Sequence, residues 1–273
     1  MPEGEREVAR DLGAMREGGW EAVELWLRHW DGYLEGHSVG QARRLLDEAG
    51  LVAAGGCAQS GLFFAEGEEV RRYRDELRRR LEQCQALGAA HLVVTPGMPG
   101  RAGPERLSAA LIDQAAEQLR AAGEMAREYG VRLGIEFLKG ARFVNNLPTA
   151  LLLAERTAHF HVGVLVDTFH LYAGLSKVED LELLRGRVEQ LTFVHLNDVP
   201  PGGPRELWVD ADRVLPGEGG FPLTAIFDRL RAVGFGGYVS LELFNEQFAS
   251  EWGADPAAAA RRAFESVRGL VQQ

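Results

Sequence analysis

The sequence predicts an α/β fold: a (β/α)8 barrel that lacks or replaces its first strand. Three observations carry this expectation. Apolar runs of strand length alternate with segments of helical periodicity along the 273 residues. The runs are almost continuously apolar, as strands covered on both faces must be, so the sheet is parallel. Polar residues interrupt the C-terminal halves of four different runs, at Glu136, Asp167, His195 and Glu242, the end at which a barrel gathers its chemistry. An open doubly wound sheet also places ligands at strand ends, but at a switch point that only a few strands reach. The sequence contains no G-x-G-x-x-G after its first strand and no Walker loop.

Residues 1–19, "MPEGEREVARDLGAMREGG", hold no apolar strand and read as a helix closing on Gly18 and Gly19. The strand runs are residues 20–27, 51–58, 91–97, 131–138, 162–170, 191–198 and 237–244. Helical segments such as "SVGQARRLLDEAG" and "PLTAIFDRLRAVG" lie between them, and several end on a glycine just before the next strand: Gly50, Gly88, Gly130 and Gly234. A left-handed cap followed by a short loop explains that placement. Seven strands are legible where a barrel needs eight. Either the chain starts late and leaves a gap between residues 20–27 and 237–244, or another element fills it. An open gap exposes two sheet edges, which invites strand exchange or a homo-oligomer. Barrels of this length run undivided, so residues 1–273 are expected to form one domain.

The formal net charge is -10, which argues against a nucleic-acid partner outside a strong local basic patch. The one such stretch, "RRYRDELRRR" (71–80), has acids interleaved at helical spacing and reads as a solvated helix face. Cys57 and Cys84 are the only cysteines and have no ligand spacing, so two reduced thiols are expected rather than a disulfide or a cysteine-bound metal. The N-terminus is charged and no apolar stretch is long enough for a bilayer, which predicts a soluble, cytoplasmic protein with no membrane partner.

A carboxylate at a buried strand end is costly unless a cation or hydrogen-bond donors compensate it. Any one of the four polar residues has a structural explanation, but four at the same end of different strands point to a divalent metal. Three oxygens and one nitrogen suit Mn²⁺ best, with Mg²⁺, Co²⁺ and Zn²⁺ also compatible. Three formal negative charges exceed the metal's two, so a further cation or a proton belongs in the site.

The stretches "GIEFL", "FVNNLPTA", "VGVLVDTFHLY", "FVHLNDVP", "DADRVLPGEGGFPL" and "GYVSLELFNEQF" resemble the xylose-isomerase-like TIM-barrel superfamily, most closely its inosose isomerase and tagatose 3-epimerase groups. The resemblance is strongest over residues 131–253 and is only a general βα pattern before that. It implies that Glu136, Asp167, His195 and Glu242 hold one metal ion and that Glu136 and Glu242 act as acid and base. A small sugar or polyol carbonyl compound would lose a proton to one glutamate and regain one from the other through a metal-stabilised enediolate.

By the same resemblance His170 and Arg213 contact the substrate. A loop histidine bonded to backbone, or a surface arginine paired with Asp210 or Asp212, would also account for them. Asp198 reads equally as a partner fixing the His195 ring or as a loop cap, Asn145 and Asn146 read as helix caps, and Glu24 reads as barrel interior rather than a ligand. Trp26, Trp30, Phe64, Phe248 and Trp252 are core residues or pocket walls. The strand end "GGCAQSG" lacks a histidine that many members carry. The implied activity is isomerase or epimerase, with a dehydratase as the sister reading and a non-catalytic metal-binding protein further off. A DNA-repair endonuclease of this fold needs several more strand-end histidines than the chain has.

Overall fold

The computed structural model describes residues 3–97 and 108–271. Helix α1 (Glu3–Glu17) leads into β1 (Ala22–Trp26), followed by α2 (Leu27–Leu34), α3 (Val39–Ala49), β2 (Val52–Ser60), α4 (Glu68–Leu87), β3 (His91–Thr95) and α5 (Ala109–Glu128). The second half comprises β4 (Arg132–Glu136), α6 (Leu147–Thr157), β5 (Val162–Asp167), α7 (Thr168–Tyr172), β6 (Leu191–Leu196), α8 (Leu223–Ala232), β7 (Val239–Leu241), α9 (Glu246–Ala254) and α10 (Pro256–Val271). Ser38 caps α3 in a reciprocal box with Gln41, Ser108 caps α5, and Asn146 caps α6. Gly50, Gly88, Gly130 and Gly234 all take positive φ at helix ends, as their positions before strands predict.

The seven strands form one parallel sheet whose spatial order is the chain order. Around it α1 packs on α3 and α10, α3 on α4, α4 on α5, α5 on α6, and α8 on α10. The result is a TIM barrel with a seam: among the described residues β1 pairs only with β2, and β7 only with β6. A cavity of about 270 Å³ lies along the seam, with Ala54, Phe193 and Tyr238 among its lining residues, together with Trp20, Phe248 and Trp252. Glu24 also lines it.

Strand alternation sorts the core into two parts. Leu92, Val94, Val164, Val166 and Val194 join the large cluster with helix residues such as Leu81, Leu119 and Leu230. Their neighbours Val93, Leu165 and Phe193 point the other way and meet Ala54 in a small plug inside the barrel. Asp167 and His195 each stand two residues beyond a plug residue, Leu165 and Phe193. A period of two therefore turns both side chains inward just above the plug.

Glycine makes room lower in the barrel. A Cβ at Gly134 would overlap Thr192 Oγ1, and one at Gly163 would overlap the Gln190 carbonyl oxygen and crowd Thr192 Cγ2. The Gln190 obstacle is backbone and cannot rotate away. Gly163→Ala is expected to cost about 3 kcal/mol, the upper end of overpacking penalties, read as a lower urea midpoint at unchanged slope.

The arginine-rich stretch is a solvated face of α4 with one exception. Arg80 is buried, gripping Asp31 at 2.7 Å and Glu76 at 2.9 Å. Period-3.6 geometry puts it beside Leu77, Leu81 and Cys84 on the inner face, where Asp31 on α2 satisfies it. Cys57 and Cys84 are unpaired thiols, and burial pushes both pKa values up, Cys84 to about 12. No helix among the described residues is long and apolar enough to cross a membrane.

Candidate metal centre

Glu136 ends β4, Asp167 ends β5, His195 lies in β6, and Glu242 follows β7. Register brings them together: Asp167 is opposite His195, and His195 is opposite Ser240, two residues before Glu242. One ligand atom from each of Glu136, Asp167, His195 and Glu242 lies within 4.8 Å of all the others. A divalent ion holds such atoms at roughly 2.0–2.3 Å, hence up to about 4.5 Å apart across the ion. The four fit one ion with a small inward adjustment, and their three oxygens and one nitrogen fit a hard or borderline cation.

His195 is the hub. Its Nδ1 lies 3.2 Å from Glu136 Oε1, 3.3 Å from Glu242 Oε2 and 3.8 Å from Asp167 Oδ2, while Nε2 lies 3.0 Å from Glu24 Oε2. With Nε2–H donating to Glu24, release of the Nδ1 proton would present the Nδ1 lone pair to a metal, the tautomer that coordination needs. Glu24 thus stands outside the four-residue set and holds its imidazole. Asp198, read from the sequence as a partner of His195 or as a loop cap, is the second. It accepts from the amides of Val199, Gly217 and Phe221 at 2.9–3.1 Å, because its side chain turns into the loop after β6. Glu24→Gln is expected to weaken divalent-metal affinity about 10–100-fold, the usual cost of losing such a partner, measured by calorimetric titration.

Asp167 is fully buried and caps α7. Its Oδ1 accepts from the amides of Phe169 at 2.6 Å and His170 at 3.1 Å, and Asn197 Nδ2 approaches at 3.4 Å. Arg213 is only 1% exposed, so it is no surface arginine. It pairs with Asp210 as its sequence neighbourhood suggests (Nη2–Oδ1 2.7 Å), and its Nη1 also reaches Asp167 Oδ2 at 2.8 Å and Glu242 Oε2 at 2.6 Å. The rings of Phe169 and Phe244 lie 4.9 and 5.1 Å from the guanidinium carbon. Arg213 supplies the additional cation that the charge count calls for.

His170 accepts from the Lys139 amide through Nδ1 at 3.2 Å, which leaves Nε2 as its donor. That donor faces another, Arg213 Nη2, at 3.4 Å, and Arg213 Nε is buried with no hydrogen-bond partner. Lys139 Nζ is spent on the carbonyls of Arg205 and Trp208.

Electrostatics follow from this geometry. Burial works against charge on His195, but Glu24 and Glu242 outweigh it and raise the imidazole well above its ordinary pKa. Burial raises Glu136, with the His195 contact only partly opposing it. Burial also penalises the Glu242 carboxylate, yet His195 and Arg213 overcome that and hold its pKa well below the usual range. Both glutamates are buried and both touch His195, so the Arg213 contact made by Glu242 drives the two apart in proton affinity.

Inward-facing acids and an imidazole at the C-terminal ends of parallel barrel strands occupy the end at which TIM-barrel enzymes place their active sites. The chain belongs to the xylose isomerase-like TIM barrel family, whose model matches residues 12–270. An inosose isomerase of Bacillus velezensis is 26% identical over 265 residues, 95% of this chain and 91% of the relative. A 3-dehydroshikimate dehydratase of Pseudomonas aeruginosa is 31% identical over 248 residues, 87% of this chain but 36% of the longer relative. Among solved structures, the IOLI protein with a bound zinc atom superposes with a TM-score of 0.85 at 22% identity, over 97% of this chain and 96% of that one. An L-ribulose 3-epimerase superposes with a TM-score of 0.75 at 20% identity, over 97% and 89% of the two chains.

Proposed function

We propose that the chain is a divalent-metal-dependent isomerase or epimerase of a ketose, inosose or related polyol carbonyl compound. The observation that carries this reading is the convergence of Glu136, Asp167, His195 and Glu242 within 4.8 Å. Those four residues would hold the metal, Mn²⁺ by preference of the donor set, and when bound it would polarise a substrate carbonyl and make the neighbouring C–H proton easier to remove.

The chain's own groups do the rest. One of Glu136 and Glu242 takes the proton and the other returns one, to the opposite face for epimerisation or to the adjacent carbon for isomerisation. His170 Nε2–H and Arg213 converge where a substrate oxygen would satisfy both, and negative charge developing on that oxygen strengthens the two hydrogen bonds. The orphaned Arg213 Nε–H is a further donor for a substrate hydroxyl or a water. A small polyhydroxylated substrate suits such a donor-rich site, and a cytoplasmic location accords with the free thiols.

A dehydratase is the second reading, favoured by the 31% identity to the 3-dehydroshikimate dehydratase. The same proton removal followed by loss of a β-hydroxyl would give it. Solvent-deuterium incorporation, followed by NMR with Mn²⁺ over a panel of free ketoses, inososes and 3-dehydroshikimate, separates the two. Exchange beside the carbonyl with retention of all hydroxyls supports the isomerase or epimerase; water loss supports the dehydratase. Metal binding without exchange in any compound would leave a non-catalytic metal-binding protein.

A further inference from the structure

Arg213 and a metal at this site would draw on the same oxygens. Nη1 lies 2.8 Å from Asp167 Oδ2 and 2.6 Å from Glu242 Oε2, and these are the two oxygens that face His195 Nδ1, at 3.8 and 3.3 Å. The guanidinium is built in. Asp210 holds its other end, two aromatic rings flank it, and it is almost wholly buried. A side chain held this way is a fixed positive charge at the metal's own ligands.

We propose that Arg213 is an internal counter-cation of the ligand set: it holds Asp167 and Glu242 together against their mutual repulsion, and metal binds in competition with that grip. Resting on the metal-site reading above, this assigns Arg213 a role distinct from substrate contact. Two effects point the same way. A positive charge a few ångströms from the ion opposes its binding, and each charge-assisted hydrogen bond from Nη1 takes electron density from an oxygen that would coordinate. Loss of Arg213 raises the energy of the unliganded carboxylates more than that of the metal complex. The sign is therefore opposite to that for Glu24, whose hydrogen bond strengthens the imidazole as a ligand.

The affinity of the intact chain for Mn²⁺ alone tests this, measured by calorimetry and by electron paramagnetic resonance of the free ion, for the unsubstituted protein, Arg213→Met and Arg213→Lys. The Met variant is expected to bind Mn²⁺ about tenfold or more tighter than the unsubstituted protein, and the Lys variant, which keeps the charge but loses the planar fork, to fall between them. Saturating Mn²⁺ is expected to raise the melting temperature of the Met variant by more than that of the unsubstituted protein. Equal or weaker binding by the variants would overturn the proposal and make Arg213 an ordinary support of the ligands. If the Met variant does not fold, the Lys variant alone decides, by tighter or by equal or weaker binding. Absence of Mn²⁺ binding in every form, the unsubstituted protein included, would instead overturn the metal-site reading itself.

Discussion

Glu242→Gln is expected to lower the rate of deuterium exchange into the substrate by about 10³-fold, within the range that general acid–base groups contribute. Two losses combine. The amide cannot take or return the proton, and it replaces an anionic ligand with a neutral one. The fold should tolerate the change, since Glu242 follows the last strand and Gln keeps an oxygen to accept from Arg213 Nη1, now 2.6 Å from the carboxylate. The check is exchange rate and Mn²⁺ affinity on the same preparation. A variant that still binds Mn²⁺ yet has lost exchange by that factor separates proton transfer from metal holding; full exchange in the variant would remove Glu242 from the chemistry.

Asp167 has the larger structural effect. Its carboxylate receives two backbone amides that open α7, the Asn197 amide and the Arg213 guanidinium, all without solvent. Asp167→Ala leaves those donors unpaired and a buried cation short of a partner, an expected loss of about 3–5 kcal/mol, seen in urea unfolding. Asp167→Asn preserves the shape and one carbonyl oxygen for the α7 amides, so most of the stability should return. Metal binding should not, because a hard cation loses an anionic oxygen. Recovery of both in the Asn variant would show that Asp167 only caps α7.

The position of each of these residues along its strand explains how much of the site was legible beforehand. Glu136, Asp167 and His195 interrupt apolar runs at the same end of consecutive strands, and the period of two turns such residues inward. Arg213 was harder to place, because a loop arginine flanked by Asp210 and Asp212 has a local explanation that the fold extends rather than replaces. Glu24 and Asp198 show the limit. Both are acids close to a strand end, yet Glu24 holds the far side of His195 across the barrel interior, and Asp198 turns into its own loop. Their separations from His195, 171 and three residues in the sequence, point the wrong way.

The sequence by itself determined the alternation of strands and helices, the glycine-capped helix ends, the parallel sheet, and the ring of acids with one imidazole at a common end, because these rest on periodicity and local backbone preference. Only the tertiary structure decided that β1 and β7 face each other across a seam, that Glu24 takes the outer nitrogen of His195, and that the Arg213 guanidinium sits on Asp167 and Glu242. Those depend on strand register and on the loop after β6 reaching over the ends of the neighbouring strands β5 and β7. A through-space distance between residues far apart in the chain leaves no period in the sequence to read.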